Sequence, residues 1–295
     1  MMYNFLLQKT RNKILKTLDT IPFINYQSEL AYQADVEKYI PHLPNLAKKD
    51  LEIVEKIKQE GVFMTSLADL AIASTPQFIE AAQKLIPQIP KPIAGDNHQF
   101  VIHASYQQIM DYPEIYWWGL EERLLNIVEH FIGLPVTYHG VYFRRDIANQ
   151  LEKGSRLWHL DKEARKIIKI IVYLHDMDED NGPFQYIPPS LTSEIAKTFK
   201  YTSGYILDKT MQEVTSATNY KSCLGAAGTV IFAATDSIFH RGKIPVVADR
   251  FSIFFDYTPR SKKYSFYGSS SLPYKNLLLL AQNLTDVQKE CILGT

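Results

Sequence analysis

Two cysteines in 295 residues, Cys223 and Cys291, are too few and too far apart for a disulfide scaffold or a thiolate metal cluster. That poverty of cysteine fits a reducing, cytoplasmic compartment. Charge of one sign is also missing: 32 basic and 32 acidic residues cancel, so no long-range field draws the chain to nucleic acid or to an anionic membrane. No apolar run is long enough to cross a bilayer, and Met1 to Leu7 places a very short one ahead of Lys9, Arg11, Lys13 and Lys16. This is the wrong order and length for a secretory signal. There is no phosphate-cradling glycine loop, internal repeat or low-complexity segment. The chain is expected to act as a monomer or homodimer, without nucleic acid and without stable membrane insertion.

With 46% hydrophobic residues the chain can bury one large core, so one catalytic domain with additions is expected. Phe5, Ile14, Leu15 and Leu18 form one helical stripe with lysines opposite, which reads as a helix packed on the body of the domain in preference to one lying on a membrane surface. Prolines at 22, 41 and 44 and scattered aromatics suggest an irregular wrap with short helical pieces from Ile21 to Leu46. Asp50 reads as the N-cap of a helix over Leu51 to Gln59 that Gly61 stops. Val62 to Met64 reads as a short strand, and Thr75-Pro76 opens a helix that the prolines from Pro87 onward end. Pro113 to Ile132 has the strongest helical periodicity, with Gly133 as its cap.

Beyond Gly133 the period changes from helical to extended. Val136 to Arg145, Ile167 to Leu174, Phe184 to Ile187, Thr229 to Ala233 and Arg250 to Tyr257 read as strands, and helices return after Pro273. Helices first and strands later do not make an alternating βαβ pattern, so a sandwich or jelly roll fits better.

The chemistry is concentrated around Trp158-His159-Leu160-Asp161. Of the eight histidines, only His159 has a carboxylate two residues on. On extended backbone, residues two apart point the same way, so His159 and Asp161 can reach one metal ion. A third ligand is available in His240, which follows the Thr229 to Ala233 strand after a short turn. Ten residues later, Arg250 and Ser252 start another strand and share a face. Guanidinium and hydroxyl together suit a carboxylate.

These residues, with Tyr173, Asn181-Gly182-Pro183 and Ile187-Pro188-Pro189-Ser190, resemble the phytanoyl-CoA dioxygenase-like group of iron(II)/2-oxoglutarate-dependent oxygenases. The resemblance runs from about Gly61 to Pro259. It departs at Pro188-Pro189-Ser190-Leu191, where relatives usually carry Pro-Gly-Ser-His. It implies a mainly β protein with flanking helices: a double-stranded β-helix (jelly roll, cupin-like) core over 61–260, a mostly helical extension over 1–60 and a helical segment over 261–295. It implies Fe(II) on His159, Asp161 and His240, and 2-oxoglutarate with its distal carboxylate on Arg250 and Ser252 near Tyr173. With O2 the expected outcome is hydroxylation of an unactivated C–H bond, releasing succinate and CO2. The carboxylate of Asp161 argues against halogenation, which needs that position vacated for halide. The substrate is expected to be a small metabolite of specialised (natural-product) metabolism, met by Arg144, Trp158 and Tyr142. The alternatives are a fatty acyl-CoA, for which Arg144, Arg145, Lys153 and Arg156 would form a basic patch, or a cupin-like metal-binding module without redox chemistry.

Overall fold

The structure, a computed structural model, describes residues 22–93, 98–261 and 270–294. The N-terminal stripe of Phe5, Ile14, Leu15 and Leu18 lies outside the described residues. Helices α1 (Pro22–Tyr39), α2 (Lys48–Glu60), α3 (Leu67–Leu70), α4 (Thr75–Leu85), α5 (Tyr106–Asp111), α6 (Pro113–Trp118) and α7 (Glu122–Ile132) fall mostly before the main strands. The strands are β1 (Val62–Ser66), β2 (Val101–His103), β3 (Val136–Asp146), β4 (Ile168–Tyr173), β5 (Phe184–Tyr186), β6 (Lys221–Ser222), β7 (Thr229–Ala234), β8 (His240–Gly242) and β9 (Arg250–Pro259). Helices α8 (Pro189–Thr198) and α9 (Asp208–Met211) interrupt them, and α10 (Tyr274–Ala281) and α11 (Asp286–Leu293) close the described chain.

The larger sheet runs β1-β7-β4-β9-β3-β2 and the smaller one β6-β5-β8. An antiparallel bridge from His159 to His240 extends the smaller sheet beyond β8. The pairings nest: β5 with β6, β4 with β7, the His159 segment with β8, and β3 with β9. A long hairpin folded over in this way is a jelly roll. Period-two alternation then divides β9. Ile253, Phe255 and Tyr257 are fully buried on the helix-facing side, while Ser252, Phe254 and Asp256 face the cavity between the sheets.

The helix-facing core is aromatic. Phe78 of α4 stacks on Trp118 of α6 at 4.7 Å, and Trp118 lies 5.2 Å from Phe255. Each such fully buried side chain contributes roughly 1.5–3 kcal/mol. Both cysteines are buried free thiols, as their isolation in the sequence suggests.

Three local expectations need correction. Within the described part of the Ile21 to Leu46 stretch, residues 22–39 form one helix, α1, in place of short pieces, and Tyr32 anchors it by donating to the Ile132 carbonyl at 2.6 Å. Asp50 lies inside the first turn of α2; Ala47 is the cap, and the Asp50 carboxylate is taken by Arg123 at 2.7 Å. The 113–132 helix breaks after Trp118. Tyr257 donates to the Gly119 carbonyl at 2.6 Å and Gln288 to that of Leu120 at 2.9 Å, so tertiary partners replace the helical bonds.

Candidate active site

His159 and His240 sit directly opposite each other across the smaller sheet, each backbone N–H donating to the other's carbonyl at 3.1 and 3.0 Å. Their rings lie 4.2 Å apart. His159 Nδ1 meets the Leu157 carbonyl at 2.8 Å and His240 Nδ1 meets that of Ile238 at 3.1 Å. A carbonyl can only accept, so each Nδ1 carries the proton and each Nε2 presents its lone pair. Asp161 completes the group: Oδ1 is 3.7 Å from His159 Nε2, and Oδ2 is 3.7 Å from His240 Nε2. One ligand atom from each of the three residues falls within 4.8 Å of the others, and all three residues are buried.

The protonation states suit a divalent metal. Burial pushes the His159 imidazole below its ordinary range, and burial followed by His159 pushes His240 down to about 3, so both are neutral at physiological pH. Burial alone would raise the Asp161 carboxyl, but the Lys169 ammonium and the two imidazoles outweigh it and hold it below the usual carboxylate range. Two neutral imidazoles and one carboxylate are the donor set of a facial iron(II) site, so the residues present fit that metal.

Lys169 is a site residue that the motif did not reveal. Its Nζ lies 2.7 Å from Asp161 Oδ2 and 4.0 Å from Asp256 Oδ2, and all three side chains are largely buried. Burial opposes the ammonium, yet Asp161 and Asp256 hold its pKa above that of an ordinary lysine. A lone lysine in the apolar β4 run and a lone aspartate in β9 were the available sequence signals.

A cavity of about 200 Å³ opens in front of the histidines and runs between the sheets to Tyr173, Arg250 and Ser252. The Tyr173 hydroxyl donates to the Cys223 carbonyl at 3.0 Å and accepts from the Phe184 N–H at 2.9 Å, which fixes the ring. Arg250 is buried, with Nη2 2.8 Å from Asp146 Oδ2 and Nη1 donating to the Gly182 carbonyl. Ser252 is also buried, and its Oγ has no hydrogen-bond partner among the described residues. Beside it, Arg144 spends Nη2 on Asp146 Oδ1 at 2.7 Å and Ser155 Oγ at 3.0 Å, with its guanidinium 4.9 Å over the Phe254 ring. Tyr142 lines the same cavity, half-buried.

Two expectations about substrate contacts are corrected here. Trp158 does not line the cavity: strand alternation turns it away from His159, and its indole is buried, donating to Asp208 at 2.8 Å beneath the Arg241 guanidinium. The basic patch for a thioester does not assemble either. Arg145 pairs with Asp249 at 2.6 Å, and Arg156 is buried among the carbonyls of Asn149, Phe100 and Ile147. At the motif departure, Pro189 opens α8, so the turn continues into a helix.

No protein-family model matches the sequence, and no curated protein matches it. Among solved structures, the chain is similar to the non-heme alpha-ketoglutarate-dependent epimerase SnoN from nogalamycin biosynthesis, at 12% identity over 72% of this chain and 84% of that one, with a TM-score of 0.50. The carbocyclase SnoK of the same biosynthesis is similar at 14% identity over 73% and 85%, also with a TM-score of 0.50. SnoN has also been solved in complex with Fe3+, alpha-ketoglutarate and nogalamycin RO; that structure is 13% identical over 72% and 84%, again with a TM-score of 0.50. At such identities the likeness is one of fold.

Proposed function

We propose that this chain is an iron(II)- and 2-oxoglutarate-dependent oxygenase that hydroxylates an unactivated C–H bond of a small metabolite, in the cytoplasm and within specialised metabolism. The observation that carries the reading is the buried His159–Asp161–His240 group at one end of a cavity whose other end carries Arg250 and Ser252. The fold shared with the nogalamycin epimerase and carbocyclase supports it. Metal, 2-oxoglutarate and O2 together would supply the oxidising power to break the C–H bond.

The chain's own residues supply placement. His159 and His240 present neutral Nε2 atoms, and Asp161 presents one oxygen while Lys169 holds the other. Arg250 and Ser252 provide donors for the distal carboxylate, and Tyr173 forms a rigid wall beside it. Tyr142 and Phe254 give the cavity an apolar, aromatic side, against which a compact substrate packs with its reacting carbon towards the metal ligands. Whether the radical left by hydrogen removal is hydroxylated, inverted or closed into a ring depends on that placement. Hydroxylation needs no additional group from the protein.

The test is anaerobic addition of iron(II), then 2-oxoglutarate, followed by visible spectroscopy on wild type and His159→Ala. A charge-transfer band in wild type alone supports the assignment, and succinate release then serves to screen substrates. Folded protein that binds metal but gives neither band nor succinate would instead be a non-redox metal-binding module.

A further inference from the structure

The cavity end remote from the metal ligands carries more positive charge than its neighbours neutralise. Arg144 and Arg250 flank one carboxylate, Asp146, with Nη2 atoms 2.7 Å from Oδ1 and 2.8 Å from Oδ2. Asp146 is completely buried and both arginines are nearly so. Other nearby charges do not restore the balance. Asp249 is taken by Arg145, and Arg156 adds a further cation whose donors end on neutral oxygens, those of backbone carbonyls and of the Asn149 side chain. Lys169, Asp161 and Asp256 lie further along the strands, where one ammonium on two carboxylates leaves a net negative charge beside the metal-ligand candidates, away from the arginines. Two buried guanidiniums on one carboxylate leave about one positive charge to be met by something entering the cavity.

The strand register says where that anion would sit. Arg144 on β3 is paired directly with Ser252 on β9, and Ser252 in turn with Tyr173 on β4. Opposed residues on one sheet face have Cβ atoms about 4.5–5.5 Å apart, so Arg144 and Ser252 address the same point. Both have a donor to spare: among the described residues, Arg144 Nε and Ser252 Oγ are buried without a hydrogen-bond partner. Arg250 differs, since Nε and Nη2 face Asp146 and Nη1 faces the Gly182 carbonyl.

We infer that Arg144 belongs to the cosubstrate end of the cavity, where with Ser252 it forms a second arm beside Arg250 that binds the distal carboxylate of a 2-oxo diacid. This rests on the oxygenase reading and moves Arg144 from the substrate, where the sequence placed it, to the cosubstrate. It follows that the primary substrate needs no anionic group. Asp146 acts as a positioning residue, holding the two guanidiniums apart and both facing the cavity.

The experiment is calorimetric titration of nickel-loaded protein with 2-oxoglutarate and with 2-oxopentanoate, which has a methyl group in place of the distal carboxylate. Wild type should favour the diacid strongly. Arg144→Gln should weaken 2-oxoglutarate by about 10–100-fold, the range for a charge-assisted hydrogen bond, and leave 2-oxopentanoate nearly unchanged. Arg144→Lys should recover part of the loss. Ser252→Ala, which removes one small group, gives a second measure should the arginine variants fold poorly; it should narrow the same preference by about tenfold. If folded Arg144→Gln retains the wild-type preference, the inference is overturned and Arg144 returns to the substrate side, whatever Ser252→Ala does. Wild-type protein that binds nickel but does not distinguish the two acids has no distal-carboxylate site, which overturns the cosubstrate reading and this inference together.

Discussion

The backbones of His159 and His240 form a reciprocal hydrogen-bonded pair, so the spacing of two metal-ligand candidates is set by sheet geometry and not by a loop. Each imidazole is further fixed by a carbonyl two residues earlier in its own chain segment. The pairing needs only main chain, so it survives loss of a ring. His240→Ala should therefore fold with an unchanged circular dichroism spectrum, yet lose metal affinity by more than the ~10–100-fold that follows loss of an outer-shell partner. Calorimetric titration with cobalt(II) measures this. Wild-type affinity in the variant would remove His240 from the ligand set.

Lys169 lies between Asp161 and Asp256 and is the nearest cation to the candidate metal ligands. Lys169→Met keeps the length but leaves two buried carboxylates without it, a change expected to cost about 3 kcal/mol in metal-free protein. A divalent ion on Asp161 replaces part of the missing charge, so the variant should regain more stability than wild type when nickel is added. Urea denaturation with and without the metal checks this. Equal metal-induced gains in the two proteins would show that Lys169 and the metal do not share Asp161.

Acid should destabilise the metal-free protein in two stages. His139 is buried with its Nε2 2.7 Å from Thr258 Oγ1, and burial lowers its pKa from 6.5 to about 3. The unfolded chain therefore binds the proton first: stability is complete above pH 6.5 and falls as pH drops towards 3, by roughly 2–3 kcal/mol at pH 4.5. Asp146 follows. Burial would raise it, but Arg144 and Arg250 lower it from 3.8 to about 2, so its contribution is present above pH 3.8 and lost between there and 2. His103, lowered to about 4, and His240, lowered to about 3, titrate in the same window and His159 is lowered too, so His139→Gln should remove only its own share of the first stage and leave the second, as read from urea midpoints across pH.

The pairing of His159 with Asp161 on one face and the strands were legible because they depend on local order: a His-x-Asp on extended backbone, and β-branched runs of period two. Strand limits shift by only a few residues, with Thr229 to Ala233 becoming Thr229–Ala234 and Ile167 to Leu174 becoming Ile168–Tyr173. What escaped depends on long-range contacts. Nothing near Gly119 and Leu120 announces that Tyr257 and Gln288 will take their carbonyls and split a helix. Lys169 likewise looks like a defect in an apolar strand until β4 is placed beside β9 and opposite Asp161. Trp158 was misassigned for the converse reason, since closeness in sequence to His159 means the opposite face of a strand.

Gly182 connects the turn to the Arg250 end of the cavity. Its φ of +74° is one that residues with a side chain adopt only under strain, and a Cβ there would lie 2.6 Å from both the Lys243 carbonyl oxygen and the Pro245 nitrogen. Those are backbone atoms, which cannot rotate aside as a side chain could. The Gly182 carbonyl also accepts from Arg250 Nη1, so displacing the turn moves a guanidinium partner. Gly182→Ala should thus cost about 1–3 kcal/mol of stability and, separately, weaken 2-oxoglutarate binding with little change in metal affinity. Ala71, which already has a positive φ of 46° on the opposite flank of the molecule's sequence, offers a control. Ala71→Gly should relieve backbone strain without altering 2-oxoglutarate affinity. If Gly182→Ala lowers stability but binds 2-oxoglutarate as wild type does, the turn supports the fold alone and Arg250 does not depend on it.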